Sequence, residues 1–188
     1  MTSSPHFFYA RHFLLLAGCS VVAAVMTRHH LVTDLNVCFA VYGALHASAL
    51  ILTVRATQSL RRRCLFVAIA ALLSVMALRI GLLGGHLFGT LPGNAVLYLV
   101  LGFSAVIGAA AYGTSIRLFG LVELTMGGLA LIAAGCMLAA FIAFFTLAHS
   151  HFLGRWWLAV LWWYAFSGGL WFCDRRQNPV PRSAAAPA

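Results

Sequence analysis

Charged side chains are scarce in this sequence of 188 residues. Asp, Glu, Lys and Arg together make up 8% of it, whereas about 25% is usual in a soluble protein. Lysine is absent, so all 12 basic residues are arginines, and only three residues are acidic. So few charges cannot keep a folded surface in water, and the composition excludes a soluble domain.

Proline and cysteine are few, and their positions exclude further classes. None of the five prolines falls within a long apolar run, so each run can form an unbroken helix. The five cysteines are far apart in the sequence and form no CxxC pair. We therefore expect neither a disulfide framework nor a cysteine metal site.

Apolar residues make up 63% of the chain and gather in six long runs. A membrane-spanning helix needs about 20 such residues, and the runs are too continuous for the alternating strands of a membrane barrel. The sequence therefore predicts an all-α, six-helix membrane bundle over residues 1–176 and a disordered cytoplasmic tail over 177–188. The predicted spans cover residues 12–27, 35–54, 64–84, 95–116, 121–147 and 156–172.

Arginine placement predicts the orientation of these spans. With the N-terminus in the cytoplasm, the inner segments carry Arg11, Arg55, Arg61, Arg62, Arg63, Arg117, Arg175, Arg176 and Arg182. The outer segments carry only Arg28 and Arg155, and Arg79 lies inside a span. This asymmetry follows the positive-inside rule only if the number of spans is even. We expect both termini in the cytoplasm, and the arginine-only, Ala/Leu-rich composition favours a bacterial inner membrane.

A lipoprotein cleavage pattern, Leu-Ala-Gly-Cys, ends at Cys19. Only Phe13 to Leu16 separates it from the charged Arg11, whereas a signal sequence has about 7–15 apolar residues there. We therefore expect the first run to be kept as a span.

Ionisable residues within a membrane are functional candidates because burying them is costly. Arg79 lies in the outer part of the third span, and its natural partner is Asp34 at the outer end of the second. We expect an ion pair between them. The alternatives are that Arg79 extends to the lipid headgroups or that it contacts a substrate or anion.

Four residues of the second span, Asp34, Cys38, Tyr42 and His46, recur at every fourth position and share one side of the helix. Such a stripe faces protein or water, and it is either a solute or proton path or a set of bonds between helices. We favour the second. Glu123, near the start of the fifth span, is expected at the interface beside basic residues, with proton coupling as the alternative.

Most of the other histidines fall at predicted outer ends or loops: His29, His30, His86, His149 and His151. They form adjacent pairs rather than a convergent set, so no metal site is expected, although a pH sensor remains an alternative. A membrane haem needs two histidines at matched depth on facing helices. His46 is the only histidine deep within a predicted span and has no such partner, so no cofactor is predicted.

Small residues repeat at every fourth position in two of the spans, a pattern that lets helix backbones approach closely. These predicted packing residues are Ala105, Ala109, Gly113, Gly135, Ala139 and Ala143. All five tryptophans lie in the last span. Trp162 and Trp163 lie near its middle, where they pack against another helix or another chain, or face lipid.

No nucleotide-binding, metalloprotease or hydrolase motif is present, so the sequence does not indicate an enzyme. Our first hypothesis is a non-catalytic subunit or homo-oligomer of a larger membrane assembly, including a sensor or effector that oligomerises. The second is a small channel or transporter with a path along Asp34, Tyr42, His46 and Arg79. The expected partners are membrane lipid, further copies or other membrane subunits, and no nucleic acid.

The predicted orientation can be tested with reporters fused after Ala188. A fluorescent protein should fluoresce there, and alkaline phosphatase should be inactive, because both report the cytoplasmic side of a bacterial membrane. The opposite pair of results would contradict the arginine-based orientation.

Overall fold

The computed structural model describes residues 5–53, 59–87, 95–149 and 156–177, and within these ranges all regular structure is α-helical. The helices are α1 (Pro5–Arg28), α2 (Leu35–Thr53), α3 (Leu60–Leu87), α4 (Ala95–Leu118), α5 (Met126–His149) and α6 (Trp156–Gln177). The all-helical class is thus confirmed. The predicted tail, beyond Gln177, lies outside the described residues.

Three helices begin after a residue whose side chain caps the free backbone N–H groups of the first turn. At α2, Asp34 Oδ1 accepts the backbone N–H of Asn36 at 2.8 Å and that of Val37 at 3.0 Å. Ser59 and Thr125 accept in the same way at the starts of α3 and α5. Such capping is why these helices start where they do.

Two helices end in a left-handed turn. Gly120 follows α4 with φ +63°, and the N–H of the next residue, Leu121, reaches back to the carbonyl of Ile116. The same bond joins Leu31 to Met26 at the end of α1, where His30 takes the left-handed conformation that glycine usually occupies. Both turns stop the helix and reverse the chain toward the next one.

The helices form a closed ring in chain order. Each packs against the next, α6 returns to pack against α1, and α6 also touches α2 across the ring. Because neighbours run antiparallel, Pro5 and Gln177 lie at the same face of the bundle. We call it the arginine-rich face, since it carries Arg11, Arg61, Arg62 and Arg117; the face where α2 and α6 begin is the opposite face.

The outer surface of the bundle is apolar as well as its core. Leu14 is 74% exposed, Leu72 61% and Phe145 59%, whereas a soluble protein rarely exposes a continuous apolar surface. Five helices, α1 to α5, are long and apolar enough to cross a membrane. The sixth is not among them because tryptophan and tyrosine, with their polar N–H and O–H groups, and a charged last turn lower its hydropathy.

Two helices begin at residues different from the starts of the predicted spans. The first helix begins at Pro5 rather than at residue 12, so His12 lies well inside α1 rather than at its start. The fifth begins at Met126 rather than at residue 121, because Thr125 caps it there. Glu123 is therefore an exposed residue of the loop before α5 and not part of that helix.

Glycines set the closest helix contacts. A Cβ atom at Gly81 of α3 would lie 2.7 Å from the carbonyl oxygen of Val100 on α4. At Gly43 of α2, it would lie 2.6 Å from the carbonyl oxygen of Ala70 on α3. Since a backbone carbonyl cannot move aside easily, these positions keep α2, α3 and α4 in close contact.

The predicted packing residues lie mostly within the chain's own core. Ala105, Ala109, Gly113, Ala139 and Ala143 are buried. Gly135 differs, because a Cβ atom there would meet nothing within 4 Å. These repeats therefore contribute contacts within one bundle, except at Gly135.

The two kinds of glycine predict opposite results for the same substitution. Gly81→Ala should lower the free energy of unfolding by about 1–3 kcal/mol, because the new methyl group collides with the α4 backbone. Gly135→Ala, the matched control, should leave stability unchanged or raise it slightly, because alanine favours the helix. Thermal unfolding of both variants in detergent measures the difference, and equal melting temperatures would contradict the close α3–α4 contact.

Candidate functional site

Four polar side chains are buried together in the interior, where α1, α2 and α6 meet. They are His12 on α1, His46 and Thr53 on α2, and Ser167 on α6, and none is more than 6% exposed. Polar groups in an apolar interior are stable only when they satisfy one another's hydrogen bonds. We call these four residues the histidine–serine cluster.

Ser167 connects the two histidines. Its Oγ lies 2.9 Å from His12 Nε2 and 3.2 Å from His46 Nε2. The other ring nitrogen of His12, Nδ1, lies 3.3 Å from Thr53 Oγ1. One serine hydroxyl therefore joins side chains from three helices.

The bonds of Thr53 determine which atom donates in each contact. Its Oγ1 lies 2.7 Å from the carbonyl of Leu50 and 3.0 Å from that of Ala49. A carbonyl only accepts, so the Thr53 hydroxyl donates there and must accept from His12 Nδ1–H. His12 Nε2 is then an acceptor for the Ser167 hydroxyl, and Ser167 in turn accepts from His46 Nε2–H. Each hydrogen bond within the histidine–serine cluster thus has one donor and one acceptor.

Aromatic rings surround His46. Its ring is stacked on that of Trp163, with 6.0 Å between centroids and 3° between planes. The rings of Tyr112, Trp162 and Phe166 lie at centroid distances of 5.1, 5.8 and 5.7 Å. In this packing the Nε2 atom of the imidazole is directed at Ser167.

A further polar pair lies toward the arginine-rich face. Tyr9, one turn before His12 on α1, is buried and hydrogen-bonds through its side chain to Asp174 on α6. Asp174 is two helical turns beyond Ser167, so the pair lies on the same side of α6 as the cluster. A column of polar groups thus runs from the end of α6 to His46.

A cavity of about 120 Å³ lies on the other side of His46. Its walls come from α2, α3, α4, α5 and α6, and on α2 they extend from Phe39 to His46. On α6 they extend from Leu158 to Trp163, near the start of that helix. The cavity therefore occupies the part of the bundle toward the opposite face, and His46 belongs both to its wall and to the histidine–serine cluster.

The residues of the predicted polar stripe differ in their surroundings. Cys38, Tyr42 and His46 are buried, and Tyr42 Oη lies 2.8 Å from Thr27 Oγ1 on α1. Asp34 is exposed at the end of the stripe. Only Tyr42 and His46 line the cavity, so the polar path that the structure contains begins deeper than Asp34.

Arg79 has a different partner from the one predicted. Its Nε donates to Asn36 Oδ1 at 2.8 Å, while the carboxylate of Asp34 is engaged by the first backbone N–H groups of α2. These bonds, first that from Val37, lower the pKa of Asp34 from its usual 3.8, and the charge of Arg79 contributes least. Both residues lie at the surface of the opposite face and do not reach the cavity.

The sequence does not single out three members of the cluster, and it leaves His46 without a partner histidine. That expectation is wrong, since the rings of His12 and His46 are 6.3 Å apart between centroids. A weak signal exists, because Tyr9 and His12 are spaced by three residues and Ser167 and Asp174 by seven, as on one side of a helix. This spacing is easy to miss because the neighbouring charge of Arg11 indicates that the first span begins after it.

Trp162 and Trp163 pack within this chain. Trp163 is 2% exposed, and Trp162 Nε1 donates to the carbonyl of Ala105 on α4 at 3.3 Å. Of the alternatives for these residues, packing against another helix of the same bundle is the one observed.

Among the described residues, no three His, Cys, Asp or Glu side chains converge as metal ligands would. The point at which the two histidine Nε2 atoms are directed is occupied by the hydroxyl of Ser167.

Comparison with known proteins finds no matching family model, no matching curated protein and no matching solved structure.

The capping role of Asp34 predicts a pH-dependent contribution to stability. Because the pKa of Asp34 is lower in the folded than in the unfolded chain, its contribution is present above the unfolded value and is lost as the pH falls through the folded value. At pH 7, Asp34→Ala should therefore melt at a lower temperature than wild type, and the difference should vanish in acid. Asp34→Asn, which keeps a capping oxygen, should stay close to wild type at pH 7. Equal melting of the Asn and Ala variants would contradict the capping role.

Proposed function

We propose that this chain is a small membrane transporter or channel that moves protons through its helical bundle, alone or coupled to a solute. The observation that carries the proposal is Ser167, whose hydroxyl lies within hydrogen-bond distance of two buried histidines on different helices. Ionisable groups inside a membrane protein commonly mark proton or ion paths.

The chemistry of the histidine–serine cluster suits protons better than metal cations. Hydroxyls and imidazoles each carry a donor and an acceptor, so they can receive a proton at one atom and release another elsewhere. Hard cations such as Mg²⁺ and Ca²⁺ need six or more oxygen ligands. The cluster offers two hydroxyl oxygens and no carboxylate.

One transfer through the cluster can be written atom by atom. A proton from the cavity binds His46 Nδ1, and His46 Nε2–H passes its proton to Ser167 Oγ. Ser167 simultaneously gives its own proton to His12 Nε2. His46 is then neutral again as the other tautomer, and His12 carries the positive charge.

The charge on His12 has a route toward the arginine-rich face. His12 Nδ1–H already contacts Thr53 Oγ1, at the last residue of α2. The pair Tyr9–Asp174 lies one turn farther along and supplies a negative charge that attracts the proton. Reset needs His46 and Ser167 to return to their first arrangement, which ring and hydroxyl rotation provide.

The hypothesis of a non-catalytic subunit or homo-oligomer receives less support. Two of its grounds were the mid-span tryptophans and the small-residue repeats, which the chain itself now accounts for. A role in a larger assembly is thus the alternative to transport, and it remains compatible with the exposed apolar surface.

The proposal includes a bacterial inner membrane crossed by all six helices, with both termini in the cytoplasm. At about 1.5 Å per residue, the 22 residues of α6 are long enough to cross. Because α6 closes the ring between α5 and α1, it would be surrounded by spans on either side. In this orientation the cavity faces outward and the histidine–serine cluster lies toward the cytoplasm.

Proton flux into vesicles tests the proposal. Purified protein is reconstituted into liposomes that contain a pH-sensitive dye, and a potassium gradient with valinomycin makes the lumen negative. Wild-type vesicles should acidify faster than protein-free ones. Ser167→Ala should slow the acidification by about tenfold or more, because among the described residues its hydroxyl provides the hydrogen bonds that join the two histidines.

Ser115→Ala is the matched control. Ser115 is also buried, but its hydroxyl donates to the carbonyl of Ala111 in its own helix, at 2.9 Å and away from the cluster. It should conduct like wild type. If wild-type vesicles acidified no faster than empty ones, the cluster would be a bond between helices and the subunit hypothesis would replace transport.

A further inference from the structure

The cavity has hydrogen-bonding groups that the protein itself does not use. Most polar groups in its wall have partners: Ser74 donates to the carbonyl of Ala70, and Tyr42 contacts Thr27. By contrast, Ser104 Oγ and Tyr112 Oη are both buried without a hydrogen-bond partner. Tyr112 is only 3% exposed as a whole residue.

An unsatisfied buried hydroxyl costs about 1–3 kcal/mol, and both of these line the same cavity on α4. The rings of His46, Phe66 and Phe166 pack against Tyr112, and Ser104 lies directly over Gly81 of α3. Two unused hydroxyls in the wall of one cavity indicate a ligand that bonds to at least one of them.

The rest of the wall restricts the charge of this ligand. Aromatic rings and aliphatic side chains make up most of it, and the described residues of the wall include no arginine and no carboxylate. A charged ligand would have no opposite charge nearby in a medium where bare charge is costly. The ligand is therefore uncharged.

The volume restricts its size. About 120 Å³ is somewhat less than the roughly 150 Å³ cavity that accepts benzene in another protein. It is also about four times the roughly 30 Å³ that one water molecule occupies in the liquid. A ligand of about five non-hydrogen atoms fits.

We propose that the cavity is a binding site for a small uncharged molecule, of about five non-hydrogen atoms, with an apolar body and a polar edge that bonds to the hydroxyl of Tyr112 or of Ser104. The molecule bound here belongs to the class of solute that moves together with the protons. That identification rests on the proposed function. The binding site itself depends only on the cavity and the two hydroxyls.

Pyrazole is a suitable probe, because it is flat, uncharged at pH 7, and has five ring atoms with a donor and an acceptor on one edge. Thiophene has the same shape without a donor and is the matched probe. Trp162 and Trp163 line the cavity, so tryptophan fluorescence of the full chain in detergent reports binding. Pyrazole should produce a saturable change, and thiophene should bind about tenfold more weakly.

Variants locate the site. At least one of Tyr112→Phe and Ser104→Ala should weaken pyrazole binding by about fivefold to tenfold, because the variant at the bonded hydroxyl loses that hydrogen bond. Tyr98→Phe and Ser115→Ala make the same atomic changes outside the cavity wall and should bind pyrazole like wild type. Circular dichroism confirms that all four variants are folded.

The inference is overturned if pyrazole gives no saturable change, if thiophene binds as tightly, or if the two cavity variants bind pyrazole like wild type. Fluorescence is measured without a membrane or a gradient, so it is independent of the flux assay. Pyrazole binding without proton flux overturns the proposed function alone, and flux without pyrazole binding overturns this inference alone.

Discussion

The sharing of one hydroxyl by two imidazoles joins α1, α2 and α6 in the interior of this bundle. Away from water, His12 and His46 have to find hydrogen-bond partners in the protein, and Ser167 serves both. This fixes α1 and α2 relative to α6. Since α6 also brings Trp162 and Trp163 to the cavity wall, the shape of the cavity depends on the same contact. His46 belongs to both sites, so neither can move without the other.

Apolar run length was enough to predict six helices, because each run must bury its backbone hydrogen bonds internally whether or not its neighbours are known. The period of the second helix likewise indicated that Tyr42 and His46 share one side, and both are buried. The partner of His46 was beyond such reasoning. His12 and Ser167 are 155 positions apart, and they meet because α6 packs against α1. Local sequence patterns do not predict that contact.

Charge placement misled the prediction at two points for a related reason. Asp34 was assigned to Arg79, the nearest cation, although the first N–H groups of a helix compete strongly for a carboxylate at its start. Arg79 bonds instead to Asn36, a neutral residue in the same turn. Glu123 was placed in a helix because the apolar run continues through it, whereas the cap at Thr125 ends the loop later. In both cases the structure follows the hydrogen bonds that cap the first backbone N–H groups of a helix, and not the pattern of side chains along the sequence.

The closed ring has a consequence for how the molecule is made. If the helices enter a membrane in the order of their synthesis, α1 to α5 are in place before α6 leaves the ribosome. Until then His12 and His46 lack their common hydroxyl, and the cavity lacks one wall. The last helix therefore completes the interior rather than adding to its edge. In that five-helix intermediate, which is open on one side, the two imidazoles must stay hydrated or form temporary hydrogen bonds to other groups.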